Sequence, residues 1–250
     1  MGRPYTMAAM PRIHVDTELT SGAECVLPTT AAHHVRDVLR LERGAELVLF
    51  NGRGGEYEAQ LLALARSEVR AVVGAYRDGA VESPLAVTLV QSISRGERMD
   101  YTLQKAVELG VRHIVPVTST RTVVRLDGAR EEKRLEHWRG IVRHATEQSG
   151  RTALPGVATV LSLGAWLASA SAMRAYMLDP FATGSLAAQP PPGGEVAIVA
   201  GPEGGFSSDE RAQMARAGVI PVRLGPRILR TETAALCALT ILQTQWGDLG

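Results

Sequence analysis

EVAIVAGPEGGFSSDERAQMARAGVIPVRLGPRILRTETA, residues 195–234, is the stretch whose reading sets the fold. Glu195–Ala200 is short and almost wholly apolar, and it ends in a glycine-rich turn, Gly201-Pro202-Glu203-Gly204-Gly205-Phe206. Ser207 and Glu210 then stand at capping-box spacing, which predicts a helix running to Ala217. Ile220–Leu224 is strand-like again, and past the next loop a long apolar helix is expected over Thr231–Trp246. Strands alternating with helices over so short a span imply a parallel sheet covered on both faces.

The same texture extends toward the N-terminus. Arg174–Leu178 reads as a strand, Glu131–Gln148 as a long helix and Val111–Val117 as another strand. Leu85–Ile93 is a near-continuous apolar run suited to a strand buried on both faces. Ser94 and Glu97 repeat the capping-box spacing, and Met99, Leu103, Ala106 and Val107 recur at helical intervals up to Gly110 as the stop. Before Pro84 the pattern is different. Glu46–Phe50 and Tyr57–Leu64 flank Asn51-Gly52-Arg53-Gly54-Gly55, the punctuation of a β-hairpin, and Val69–Tyr76 follows at strand length. Thr30–Leu39 reads as one short helix with Thr30 as its N-cap. The expected organisation is an N-terminal extension over residues 1–10, a small, mostly β domain over 11–78, a linker over 79–84 and an α/β domain over 85–250.

Composition narrows the class. With 45% hydrophobic and 21% charged residues among 250, and a net charge of +1, the chain has the make-up of an ordinary folded protein, not of a collagen-like, disordered or disulfide-scaffold one. Its most apolar tract, Ala234–Leu242, falls far short of the roughly 20 residues of a membrane-spanning helix. Cys25 and Cys237 form no C-x-x-C pair or Cys/His cluster, so no structural metal is expected. Residues 1–10 lack the charged and apolar regions of a secretory signal, which makes the cytoplasm the expected location. Of the 27 basic residues only Lys105 and Lys133 are lysine. A GC-rich genome explains that bias; phosphate recognition by guanidinium forks is the functional alternative.

In open parallel sheets ligands sit at the carboxyl ends of the strands. Three loops fall there: Leu178-Asp179-Pro180, Gly201–Phe206 and Leu224–Ala234. The second lacks the G-K-[ST] of a P-loop and the spacing of a dinucleotide fingerprint. Its glycines let bare backbone approach a ligand; the plainer reading is a helix entry turn with Glu203 facing the helix dipole. Within the third loop, capping and a surface ion pair account for Thr231 and Glu232 but not for Gly225-Pro226 before them. G-x-S-x-G and H-E-x-x-H are absent, and His33 and His34 are adjacent instead of one helical turn apart.

Together the loops resemble those of the SPOUT class of S-adenosylmethionine-dependent RNA methyltransferases. The full set resembles the RsmE family, which methylates N3 of a uridine in 16S ribosomal RNA. The matching stretches are Pro11–Val15, Val38–Leu41, Ser94–Val111, Glu147–Arg151, Gly201–Phe206 and Leu224–Ala234; the extension before Met10 and the Pro190–Pro192 loop depart from the pattern. The resemblance implies an α/β fold: a SPOUT-type, trefoil-knotted parallel-sheet domain, an exception to the rule against knots, preceded by a small PUA-like β-barrel that helps hold RNA. It implies S-adenosylmethionine as cofactor with no metal, the small ribosomal subunit or its RNA as partner, and a homodimer, for which the apolar Ala234–Leu242 helix offers surface.

Cofactor binding then falls to Leu178, Gly201, Pro202, Glu203 and Gly204, with Leu224, Gly225, Ile228, Leu229, Thr231, Thr233 and Ala234. Uridine N3 gains nucleophilicity when negative charge on O2 and O4 is stabilised, a task for the Arg230 guanidinium, with Glu232 as orienting partner or proton acceptor. With only 4% aromatic residues, RNA is expected to be held through phosphates. The candidates are Arg12, Arg36, Arg40, Arg95, Arg98, Arg121, Arg125 and Arg151. A SPOUT enzyme acting on a ribose 2′-hydroxyl or on transfer RNA, and a non-catalytic RNA-binding assembly protein, are the competing readings; the nucleoside methylated separates the first, cofactor affinity the second.

Overall fold

The computed structural model describes residues 10–79, 81–122, 128–169 and 173–250, which fall into two compact units. The first holds the chain up to Glu82 together with Thr146–Leu154, and the second holds Ser83–Ala145 and Pro155–Gly250. Apart from Met10, the expected N-terminal extension lies outside the described residues.

In the first unit β1 (Arg12–His14), β2 (Glu24–Val26), β3 (Glu46–Phe50), β4 (Glu56–Leu64) and β5 (Val69–Arg77) form one sheet in the order β1-β3-β4-β5-β2. β1 and β3 are parallel and the other pairs antiparallel. Along β5, Val69, Ala71 and Val73 are buried while Arg70 is exposed, the period-two pattern of a sheet with one face on a core. Ile13, Val35, Leu47, Leu49 and Leu61 complete that core. The β3–β4 hairpin turns where expected, and Gly52, Gly54 and Gly55 all have φ between 70° and 97° there, a region costly for any other residue.

The helix after β2 differs from expectation. α1 (Thr29–His33) gives way to a π-helical turn, His34–Val38, so there is no single α-helix to Leu39. Pro28 occupies the N-cap position and no side chain caps the end; Thr30 already lies inside the first turn. Proline's fixed φ, here −53°, leads into the helix without a capping hydroxyl.

The second unit is built on a parallel sheet. Its strands are β6 (Val87–Ser92), β7 (His113–Thr118), β8 (Gly156–Val157), β9 (Leu161–Ser162), β10 (Arg174–Leu178), β11 (Val196–Ala200) and β12 (Ile220–Val222). The order is β12-β10-β11-β6-β7-β8, with β9 also on β7. Every residue of β6 and β11 is buried; β11 is an unbroken apolar run, whereas β6 also carries Thr88, Gln91 and Ser92 inside the sheet. The connecting helices are α2 (Glu97–Glu108), α3 (Gly128–Ser149), α4 (Leu163–Ser169), α5 (Ser208–Arg216) and α6 (Thr231–Trp246). α5 has the expected capping box: Ser207 Oγ accepts from the Glu210 N–H while Glu210 accepts from the Ser207 N–H. α2 does not. Gly96, at φ 57°, is its N-cap, and the Ser94 hydroxyl donates to the Ser92 carbonyl instead. The glycine turns the chain before Ser94 can reach the helix, so equal spacing gives a cap in one place only.

The return of Thr146–Leu154 to the first unit is held by charge. Glu82 accepts from Arg151 Nε (3.0 Å) and Nη2 (2.6 Å), and from the backbone N–H of Thr152 (3.2 Å) and Ala153 (3.1 Å). Glu147 accepts from the His14 N–H at 2.9 Å, and Arg12 pairs with Glu56 while donating to the Arg151 carbonyl. Burial pushes the Glu82 carboxyl up, but Arg151 and the two backbone donors outweigh it and hold it below the ordinary carboxylate value. A lowered folded-state value contributes stability above the unfolded one and loses it as pH falls through the folded one. Arg151→Ala, which removes the charge-assisted hydrogen bonds to Glu82, is expected to cost about 1.5–3 kcal/mol in urea unfolding at neutral pH. The gap to wild type is expected to narrow in acid, as Glu82 takes up its proton.

Candidate active site

Because β6, β10, β11 and β12 are parallel neighbours, the loops that follow them leave the sheet at one edge. There they enclose a cavity of about 590 Å³, within the usual range for small-molecule sites. Leu178, Val222 and Leu224 give it apolar walls, and Gly201–Phe206 with Arg227–Thr231 close two of its sides. Phe181 and Ile228 line it at 78% and 75% exposure, apolar surface of the kind a ligand covers. A Cβ at Gly201 would sit 3.1 Å from the Phe206 ring, a tighter contact than is usual, which favours glycine there. Bare backbone therefore forms the wall at that point.

Hydrogen bonds hold the loops to one another. Thr231 Oγ1, at the first residue of α6, donates to the Gly201 carbonyl at 2.6 Å. Glu203 accepts from Arg98 Nη1 (3.1 Å) and from the Arg95 N–H (3.4 Å), which ties the glycine-rich turn to the start of α2. Arg121 Nη1 donates to the Gly204 carbonyl at 2.7 Å. Glu210 extends its capping role by accepting from the Thr120 N–H at 2.7 Å. Burial pushes the Glu210 carboxyl up, yet the N–H donors of Ser207 and Thr120 hold it below its ordinary value. Asp179 accepts from the Phe181 N–H at 3.0 Å and pairs with Arg211, whose Nε also donates to the Phe206 carbonyl. Five arginines line the cavity: 98, 121, 211, 227 and 230. Arg98 and Arg211 are paired with Glu203 and Asp179, whereas Arg227 and Arg230 are exposed and form no ion pair with a described residue.

Residues 81–243 match the RNA methyltransferase domain family, and residues 27–74 match the RNA methyltransferase PUA domain. Ribosomal RNA small subunit methyltransferase E of Buchnera aphidicola subsp. Schizaphis graminum is 32% identical over 246 residues, covering 96% of this chain and 98% of its own. The chain belongs to the ribosomal RNA small subunit methyltransferase E family. The Mycobacterium bovis member is 35% identical over 93% of this chain and 92% of its own. The crystal structure of the Neisseria gonorrhoeae member, bound to S-adenosyl methionine, superposes with a TM-score of 0.89 at 39% identity, over 96% of this chain and all of that one. A Legionella pneumophila methyltransferase in complex with the same cofactor superposes at 0.93 and 36% identity, over 97% and 100%. The N-terminal PUA-like β domain and the parallel-sheet methyltransferase domain are those of this family.

Of the residues expected to hold the cofactor, Leu178, Gly201, Pro202, Glu203, Gly204, Leu224, Ile228, Leu229, Thr231 and Ala234 line the cavity, while Gly225 and Thr233 do not. Arg230 lines it; Glu232 does not, and Glu232 Oε2 is buried without a hydrogen-bond partner among the described residues. Asp179, Phe181, Phe206, Arg211 and Arg227 join the lining without having been singled out. Asp179 and Arg227 lie inside the loops that the sequence marks, but nothing in the sequence pairs Asp179 with Arg211 across 32 residues.

The arginines expected to meet RNA divide sharply. Arg98 and Arg121 line the cavity, and the Arg95 side chain is exposed beside it. Arg40 is exposed at φ 52°, a left-handed conformation uncommon for arginine. Arg36 is held by Asp37 and by the carbonyls of Ala65 and Arg66. Arg151, with 7% of its side chain exposed, is committed to Glu82, and Arg12 to Glu56, with its guanidinium 5.2 Å from the centre of the Phe50 ring. Both guanidiniums are engaged in ties within the first unit, which leaves little of either one for a phosphate. Arg125 lies outside the described residues. Among those residues no helix is long and apolar enough to cross a membrane.

Proposed function

We propose that this protein transfers the methyl group of S-adenosylmethionine to N3 of a uridine in 16S ribosomal RNA of the small subunit, as a cytoplasmic homodimer. One observation carries the reading: the three loops marked by the sequence converge on a single cavity, in a chain alike over nearly its whole length to a family member and a second protein whose structures hold that cofactor. The lining fits such a ligand. It offers apolar walls for a flat base, bare backbone at Gly201 for close approach, and acids that are already neutralised by arginines. Among the described residues no group of three or more His, Cys, Asp or Glu is placed to hold a metal ion.

Bound S-adenosylmethionine supplies an electrophilic methyl group on a sulfonium. The chain's own part is to position and to stabilise charge. Leu178, Leu224 and Ile228 present apolar surface, and Gly201 and Thr231 present a wall fixed by their mutual hydrogen bond. Arg230, which lines the cavity and forms no ion pair with a described residue, is the group we assign to the charge that collects on uridine O2 and O4 as N3 attacks. Glu232, the second residue of α6, lies outside the lining and forms no ion pair with Arg230, so neither orienting that guanidinium nor accepting a proton is assigned to it. Arg40 in the first unit, and Arg95, Arg98 and Arg121 beside the cavity, are the proposed phosphate contacts.

Mass spectrometry of 16S ribosomal RNA from cells with and without this protein tests the reading: one 3-methyluridine is expected to vanish with the gene. A lost 2′-O-methyl nucleoside, or an unchanged RNA, is the opposing result. In single-turnover methylation at saturating RNA, Arg230→Ala is expected to slow the reaction about 100- to 1000-fold. Arg230→Lys should recover only part, because an ammonium keeps the charge without the planar fork. Sedimentation at micromolar concentration is expected to give twice the 26.7 kDa chain mass.

A further inference from the structure

Gln91, the next-to-last residue of β6, is fully buried and does not line the cavity. Its backbone sits mid-sheet, in register with Ala200 of β11 on one side and Pro116 of β7 on the other. Its Nε2 donates to the Ser92 carbonyl (3.0 Å) and to Thr231 Oγ1 (3.0 Å). The Thr231 hydroxyl in turn gives its single proton to the Gly201 carbonyl. The polarity of this chain is determined by its ends. Ser92 and Gly201 offer carbonyl oxygens that can only accept, so the amide must turn its NH₂ toward Ser92 and Thr231, and the hydroxyl must point to Gly201.

Packing does not account for an amide at this position. Gln91 Oε1 is buried with no hydrogen-bond partner among the described residues, and an orphaned amide oxygen carries a desolvation penalty. A methionine of similar length would fill the space without it. What glutamine supplies and methionine cannot is the donor that sets the Thr231 hydroxyl, and through it the distance between the turn after β11 and the first turn of α6. Both segments line the cavity.

We propose that Gln91 is a positioning residue of the cofactor site, acting through Thr231 to hold the Gly201 backbone and the start of α6 at one fixed spacing before the ligand arrives. This rests on the cofactor reading given above. Without the tie the two segments must be ordered when S-adenosylmethionine binds, and affinity drops by that cost.

Calorimetric titration of the intact protein with S-adenosylmethionine, well below the melting midpoint of every variant, tests this. Gln91→Met and Thr231→Val are each expected to weaken binding about tenfold, and Thr231→Ser, which keeps the hydroxyl, to recover most of the second loss. The double variant Gln91→Met/Thr231→Val should bind no more weakly than the worse single one, because both changes break the same chain. A residue that merely packs would lower the melting midpoint and leave the affinity alone. Wild-type affinity in Gln91→Met, or losses that multiply in the double variant, overturns the proposal. Should Gln91→Met fail to fold, equal affinities of Thr231→Val and Thr231→Ser overturn it just as well. If the wild-type protein itself binds no S-adenosylmethionine, the failure lies with the cofactor reading, and the positioning role falls with it.

Discussion

Parallel pairing is the constraint from which the second unit follows. Each ladder of its sheet is parallel, and each parallel step needs a crossover long enough to hold a helix. The middle strands β6 and β11 are buried along their whole length, so they are mainly apolar, with a few polar residues of β6 enclosed among them. The candidate site is assembled from segments distant in sequence, namely Leu178–Phe181, Gly201–Phe206 and Leu224–Thr231, which meet because their strands are neighbours at that edge. The few polar side chains that remain inside, such as Gln91 and Thr231, link the loops to the sheet.

Much of the architecture is readable where two signals coincide. β3, β10 and α6 begin and end at the expected residues because apolar periodicity and boundary residues agree there. β8 and β9, two residues each, carry no periodicity of their own; they exist because β7 presents a free edge. The capping-box spacing serves for Ser207–Glu210 and misleads for Ser94–Glu97, where a glycine with positive φ redirects the chain. Site loops rich in glycine and proline stand out against apolar strands, so most lining residues can be named from sequence. Which arginines are buried cannot, since an arginine in sequence looks alike whether it meets water or a carboxylate far along the chain.

That distinction shapes the electrostatics of the cavity. Glu203 and Asp179 are not spare acids awaiting a cationic ligand; each is engaged by an arginine and by a backbone N–H, and so holds a loop in place. Among the described residues Arg227 and Arg230 have no acid partner, so the described lining carries an excess of positive charge. Such charge favours a polyanion approaching from solvent and a substrate that gains negative charge as it reacts.

The excursion of Thr146–Leu154 bears on how the protein is made. A chain emerging from the ribosome N-terminus first has all five strands of the first unit once Arg77 is out, but Glu82 and Arg12 must wait for Arg151, and the His14 N–H for Glu147. In the interval a parallel sheet is begun but not closed, because β10, β11 and β12 come later still. The N-terminal part is thus completed by material synthesised in the middle of the second, and the two cannot mature strictly one after the other. Contacts of such long sequence separation slow folding. A fragment cut at residue 82 would carry an unsatisfied carboxylate where the full chain has an ion pair.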